Sequence, residues 1–200
     1  MPKVGVEDFR KKSLISATLH TIQDKGTIDI RVSDVARHAG VSSGLAHHYF
    51  GNKNQMILAA LRFLLTEFRG QVNHALRSTT TPRGRLSAII AASLNQCQFS
   101  QENITAWLIF YAHAQENIEA QKLLQVYVRR LRSNLLYDLK KLTGEQAGPI
   151  AEIVASLIDG FYIRQALRMG KADGDYARSL IEHSLDLHIL AAVEGPGHDV

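Results

Sequence analysis

The sequence predicts an all-α protein, a three-helix head on a larger helical body, about nine helices in all. Three observations carry this expectation. Apolar residues recur at helical spacing along most of the chain, no stretch alternates with the period of a strand, and glycines and one polar Pro-containing loop punctuate the helical runs.

The first helix carries Leu14, Ile15, Thr18, Leu19 and Ile22 on one face and stops at Gly26. A short second helix carries Val32, Val35, Ala36 and Ala39, and Gly40 breaks it. A third runs from about Ser42 to Phe50. Asn52 offers an N-cap to a long fourth helix, residues 53–77, with apolar positions at Ile57, Leu58, Leu61, Leu64, Leu65 and Phe68. The segment STTTPRG, 78–84, reads as a loop. Later helices are expected at 83–98, 102–115, 118–142, 149–169 and 174–192. Gly160 falls inside a helical pattern, where it implies close packing or a kink rather than an end. The domain reading is a head over 1–52, a body over 53–192 and a flexible tail over 193–200.

Composition narrows the function classes. An apolar fraction of 46% suits a packed core, and 21% charged residues is ordinary for a globular chain. The longest dense apolar run, AWLIFYA at 106–112, is far shorter than the roughly 18 residues of a membrane span. Charges crowd residues 3–12 and no signal-peptide core follows them. A lone Cys97 forms no internal disulfide, so a cytoplasmic location is expected. Residues 1–55 hold eight Lys or Arg against five Asp or Glu, so most of the net charge of +4 sits in the head. Such a placement favours a polyanionic partner.

The stretch RVSDVARHAGVSSGLAHHYFGNK, residues 31–53, reads as a helix-turn-helix. Ala36 and Ala39 are small where two helices must cross, and Gly40 accepts a left-handed turn that a β-carbon penalises. Val41 and Phe50 are expected to bury the inner face of the third helix. Its outer face then presents Ser43, Gly44, Leu45, His47 and His48 to the major groove of DNA. Ser42 is the expected N-cap, at a helix end suited to a phosphate. Gly44 allows close backbone approach, Leu45 suits a thymine methyl, and His47 and His48 can hydrogen-bond base edges or phosphates. Tyr49 and Lys53 suit phosphate contact, which fixes register without reading sequence. Arg31 and Ser33, at the start of the second helix, are further candidate DNA contacts. The bland alternative is an ordinary helix pair in an all-α core.

A metal or catalytic role has little support. Adjacent helical residues point about 100° apart, so His47 and His48 are poorly placed to chelate one ion. His183 and His188 are five apart and share no face well. No HExxH, Cys/His cluster, phosphate loop or nucleophile elbow occurs, so no metal, cofactor or enzyme activity is expected.

DVARHAGVSSGLAHHYFGNKNQMI resembles the DNA-binding signature of the TetR family of bacterial repressors. The resemblance rests on Ala36, Gly40, Val41, Ser42, Gly44, His48, Tyr49, Phe50 and Lys53. Four positions depart from the family pattern. Leu45 and Ala46 exchange the sizes usual there, His47 stands where tyrosine is common, and Arg31 replaces the frequent Ser/Thr cap. A narrower resemblance, to the choline-responsive repressors of glycine betaine synthesis, is carried by MPKVG, RKKSLISATL (10–19), TAWLIFYA (105–112), RRLRSNL (129–135) and LIDGFYIRQAL (157–167). It implies a ligand-responsive repressor that binds a palindromic double-stranded DNA operator as a homodimer. Its small-molecule effector would be choline or a related quaternary ammonium.

Residues of the body fit that implication without requiring it. Trp107, Phe110 and Tyr111 share a helix face, with Tyr127, Phe161 and Tyr162 on later helices. Such residues either fill a core or form an aromatic box. A quaternary ammonium has no N–H to donate, so aromatic faces and a carboxylate are its partners. Asp159 is the candidate carboxylate, with Glu116 weaker; a structural ion pair with Arg164, Arg129, Arg130 or Arg132 is the alternative for Asp159. The last two helices carry stripes at Ile153, Leu157 and Phe161, and at Ala177, Ile181, Leu185 and Ile189. These are expected either to meet a two-fold mate as a four-helix bundle or to be buried within one chain.

Overall fold

The computed structural model describes residues 6–167 and 170–194. Among the described residues the chain forms nine α-helices, one 3-10 turn and no strand. The helices are α1 (Val6–Lys25), α2 (Val32–His38), α3 (Ser43–Phe50), α4 (Lys53–Leu76), α5 (Pro82–Leu94), α6 (Gln101–Glu116), α7 (Ile118–Thr143), α8 (Ala147–Ala166) and α9 (Gly174–Glu194). The 3-10 turn, Gly144–Gln146, leads into α8. Val193 and Glu194, expected in a flexible tail, finish α9. The opening MPKVG and residues 195–200 lie outside the described residues. No helix among the described residues is long and apolar enough to cross a membrane.

The chain packs as two units, Met1–Thr66 with Thr105–Leu124, and Glu67–Ile104 with Gln125–Val200. The unit that carries the head therefore also takes in the first half of α4, most of α6 and the start of α7. Its core gathers Leu14, Ala17, Leu19 and Ile22 of α1, Ile30, Val35 and Ala36, and Met56, Leu58 and Leu61 of α4. Thr18 and Thr21 are buried in this core, and each hydroxyl donates to the carbonyl four residues back, at 2.7 Å.

In the second unit, Leu86, Ile89 and Ile90 of α5 are buried, as are Ile150, Val154 and Ile158 of α8 and Ala177, Ile181 and Leu185 of α9. Charged groups tie α5 to its neighbours. Arg83 reaches Glu182 at 2.6 Å and Asp186 at 2.7 Å on α9. Arg85 donates to the fully buried carboxylate of Asp138 on α7 at 2.8 Å, and Lys141 lies 3.3 Å from its other oxygen. That carboxylate is paired twice, as burial requires.

Two details correct the sequence reading, and a third decides between its alternatives. The helix expected over 83–98 ends at Leu94, because the Asn95 carboxamide oxygen accepts from the backbone of Cys97 at 2.9 Å and Gln98 at 3.0 Å and starts a turn. Gly160 marks no close packing, since a β-carbon there would meet nothing within 4 Å, and α8 runs on through it. The stripe Ala177, Ile181 and Leu185 is buried inside the chain, so the surface open to a mate is a different one.

Candidate nucleic-acid interface and effector residues

The turn between α2 and α3 is built by hydrogen bonds that the sequence dictates. Gly40 takes φ +67°. Its N–H donates to Arg37 O at 3.1 Å and the Val41 N–H to Ala36 O at 2.9 Å, which closes α2 in a Schellman motif. Ser42 is extended at φ −77°, ψ 150°, and its hydroxyl accepts from Leu45 N at 3.2 Å as the N-cap of α3. Gly51, at φ +72°, closes α3 by donating to His47 O at 2.8 Å. Asn52 then caps α4 through its side chain, 2.9 Å from Gln55 N.

Ser43, Gly44, His47 and His48 are exposed on α3, and Arg31 and Ser33 are exposed at the start of α2. Tyr49 is half-buried, with its ring edge-on to His48 at 5.6 Å. Arg31 occupies the N-cap of α2 in an extended conformation and makes no side-chain cap bond, so its guanidinium is not spent on the helix. The Nδ1 of His47 lies 3.3 Å from Gly51 O, so Nε2 is the ring nitrogen left for another partner. Two expectations change. Ala46, 1% exposed, is the residue that seats α3, while Val41 and Phe50 are only half-buried. Leu45 is half-buried too, so it divides its surface between the head and the groove side.

Lys53 has a partner that was not anticipated. Its Nζ lies 2.7 Å from Asp29 Oδ1, in the loop between α1 and α2. The Lys53 ammonium holds the Asp29 carboxyl below its ordinary pKa, with Arg31 and Lys25 adding to the effect. The same end of α4 is joined to the α6–α7 junction. Asn117 donates to Asn54 at 2.9 Å and Gln55 donates to Glu119 at 3.1 Å. Nothing in the apolar periodicity marks these polar pairs, since they join residues more than sixty positions apart.

The expected effector residues fall in both units. In the first, Trp107 and Phe110 are buried, Tyr111 is half-buried, and the Trp107 and Tyr111 rings lie 5.7 Å apart at 47°. In the second, the Tyr127 hydroxyl donates to Asp159 Oδ1 at 3.1 Å and its ring meets Phe68 edge-on at 5.6 Å. Of the arginines considered for Asp159, Arg132 lies 3.7 Å from Glu152 and Arg129 donates to Gln125 at 3.4 Å. Phe161 is half-buried. Tyr162 is buried and its hydroxyl donates to Ser93 O at 2.7 Å and Gln98 O at 3.3 Å. Burial, with Asp159 nearby, raises the Tyr162 pKa far above its ordinary value, so it remains a neutral donor. Its ring packs edge-on to Phe99 at 5.0 Å, and the residue secures the turn after α5. No group of three or more potential metal ligands occurs among the described residues.

The apolar stripes expected on the last two helices name only Ile153 of the face that α8 and α9 leave exposed. Ile153, Ile163 and Leu167 are exposed at and beyond α8, and Tyr176, Leu180, Leu187 and Leu190 on α9. At 100° per residue each set falls within about 80° of arc. The signal was present as a second stripe, offset from the one that fills the core.

Residues 14–60 match the family of bacterial regulatory proteins of the tetR type. Residues 82–190 match the C-terminal domain of the BetI-type transcriptional repressors. The HTH-type transcriptional regulator BetI of Brucella anthropi is 45% identical over 191 residues, covering 95% of this chain and 98% of the relative. That of Rhizobium meliloti is 44% identical over 196 residues, covering 98% and 97%. Among solved structures, a transcriptional regulator from Pseudomonas aeruginosa PAO1 superposes with TM-score 0.81 at 22% identity, covering 92% of each chain. One from Saccharomonospora viridis, solved in complex with choline, superposes with TM-score 0.78 at 19% identity, covering 88% of this chain and 95% of that one.

Proposed function

The chain belongs to the TetR family, with a BetI-type repressor C-terminal domain, and from that premise we propose that it is released from its operator by choline or a related quaternary ammonium and so controls glycine betaine synthesis or uptake. It is a DNA-binding transcriptional repressor and not an enzyme. The observation that carries the finer reading is the 45% identity to a BetI regulator along nearly the whole chain, body included.

The chemistry of the body supports it. A quaternary ammonium is held by aromatic faces and a carboxylate. The Trp107 and Tyr111 ring pair and the Tyr127–Asp159 pair are groups of that kind. Tyr127 orients Asp159, and Tyr162, whose hydroxyl is engaged by backbone, is a wall rather than a polar contact. In the head, Ser43, Gly44, Leu45, His47 and His48 read bases, and Arg31, Ser33, Ser42, Tyr49 and Lys53 take phosphates.

The repressor acts as a homodimer on a palindromic operator. Its mate packs on the exposed α8–α9 face as a four-helix bundle, and a palindromic operator presents its two half-sites to the two α3 helices about 34 Å apart, one turn of duplex. Within the head unit, α6 carries the Trp107–Tyr111 pair and leads to Asn117, which grips Asn54 beside Lys53. A ligand that moves α6 is thereby felt at the first turn of α4. It shifts the equilibrium only by its differential affinity for the two states, and a coupling of about 1–3 kcal/mol releases the operator roughly 5- to 150-fold.

Calorimetry with choline, betaine aldehyde, glycine betaine and carnitine tests the effector. Saturable binding of choline is expected, and Asp159→Asn should weaken it by about tenfold or more, equivalent to about 1.4 kcal/mol. Absence of heat with all four removes the quaternary-ammonium reading and leaves the family assignment standing.

A further inference from the structure

Asp29 is held where it meets Lys53. Its own N–H donates to Thr27 Oγ1 at 3.0 Å. The next residue, Ile30, is 1% exposed and donates to Ile28 O at 2.9 Å. The backbone on both sides is pinned, and the carboxylate is presented to the Lys53 ammonium at 2.7 Å. The Asp29 side chain is nonetheless 90% exposed, and that of Lys53 41%. A pair this solvated can open at little cost, unlike a buried one. Asp34, the other acid paired in the head, differs. Its side chain is 22% exposed and shared between Lys25 and Arg37, so it braces α2 against the end of α1.

A phosphate and a carboxylate make the same demand on an ammonium, and both are anions. Lys53 cannot give its full charge to a phosphate while a carboxylate retains it, and an unpaired carboxylate at the edge of the interface repels the duplex. We propose that Asp29 is a built-in competitor for the operator phosphate, holding the Lys53 ammonium in the DNA-free protein and giving it up when the duplex docks, so that it sets both operator affinity and salt dependence. The inference rests on Lys53 being a phosphate contact. Lys53, with Arg31 adding to it, holds the Asp29 carboxyl below its ordinary pKa, and an exposed carboxylate stays ionised at neutral pH when Lys53 leaves it, so the competitor remains charged.

The test is fluorescence anisotropy over a salt series, with a labelled duplex carrying the DNA upstream of the protein's own gene. Asp29→Asn is expected to raise affinity several-fold at low salt and to steepen the plot of log K against log salt by about 0.9. In a Lys53→Gln background the same change should raise affinity distinctly less and leave the salt slope nearly unaltered, since only the repulsion between Asp29 and the duplex is then relieved. Circular dichroism melting of each variant confirms that the head is folded. Unchanged or weakened binding by Asp29→Asn overturns the proposal, the weakened case meaning that Asp29 positions Lys53 for the phosphate. An equal gain with and without Lys53 also overturns it, since Asp29 then acts only as a distant repelling charge. If Lys53→Gln leaves binding and salt slope untouched, the reading of Lys53 itself fails. If Lys53→Gln weakens binding and Asp29→Asn is silent, only the competitor fails.

Discussion

Gly40 and Ser42 stabilise the same turn by different means. Gly40 accepts φ +67°, a conformation that strains a residue with a β-carbon, whereas Ser42 satisfies an N–H that would otherwise be orphaned at the start of α3. Ser42→Ala should lower stability by about 1 kcal/mol in urea denaturation. A loss in operator affinity at full folding would add a phosphate role to the cap, and no loss of stability would mean water replaces the hydroxyl. His113 offers a test of pH. Its Nε2 is buried with no partner among the described residues, and burial lowers the imidazole pKa, opposed by Glu116. The unfolded chain then binds more protons below about pH 6.5, so stability should fall as pH drops through that value toward the lower folded pKa. His113→Gln should flatten the dependence of melting temperature on pH between 7.5 and 5.5. An unchanged profile would assign the acid sensitivity to another group.

The start of α9 approaches the end of α5 so closely that a β-carbon on Gly174 would collide with the Leu94 carbonyl oxygen and lie 3.2 Å from its carbon. The obstacle is backbone, which cannot swing aside. Gly174→Ala should destabilise by about 1–3 kcal/mol, the range for overpacking, and thermal unfolding reads it. The polar pair between Asn54 and Asn117 belongs to the same scale, because it joins α4 to the α6–α7 junction. Asn54→Ala should lower the coupling between choline and operator by about 0.5–2 kcal/mol, read as the ratio of operator Kd with and without saturating choline. An unchanged ratio would show that the signal reaches the head by another route. The elements themselves were legible. Periodicity located each helix to within a few residues, and Gly26, Gly40, Ser42 and Asn52 marked ends that their φ angles or cap bonds explain. The end of α5 was not, because Asn95 stops the helix with a side-chain bond where apolar spacing continues. Nor was the choice between the two stripes of α9, since periodicity reports which residues share a face and not which face meets the core.

At the scale of the whole molecule, residues 31–53 identify the DNA-binding role, and the body determines what controls it. The head was readable because a helix-turn-helix compresses its geometry into small residues, a glycine and a cap at fixed spacing. The pairing of Lys53 with Asp29 and of Tyr127 with Asp159 was not, because each depends on elements brought together by the fold. The exposed α8–α9 face is the proposed dimer interface. Leu180→Glu with Leu187→Glu should convert a dimer to monomer in sedimentation equilibrium and abolish tight operator binding, while the melting of the single chain changes little. A dimer that survives both charges would place the interface elsewhere. The central claim, that this chain is a repressor released by a quaternary ammonium, is tested most directly by anisotropy of the upstream duplex titrated with protein, with and without saturating choline. Specific, salt-sensitive binding that choline weakens by about 5- to 150-fold is predicted. Specific binding left unchanged by choline, or no specific binding at all, would contradict it.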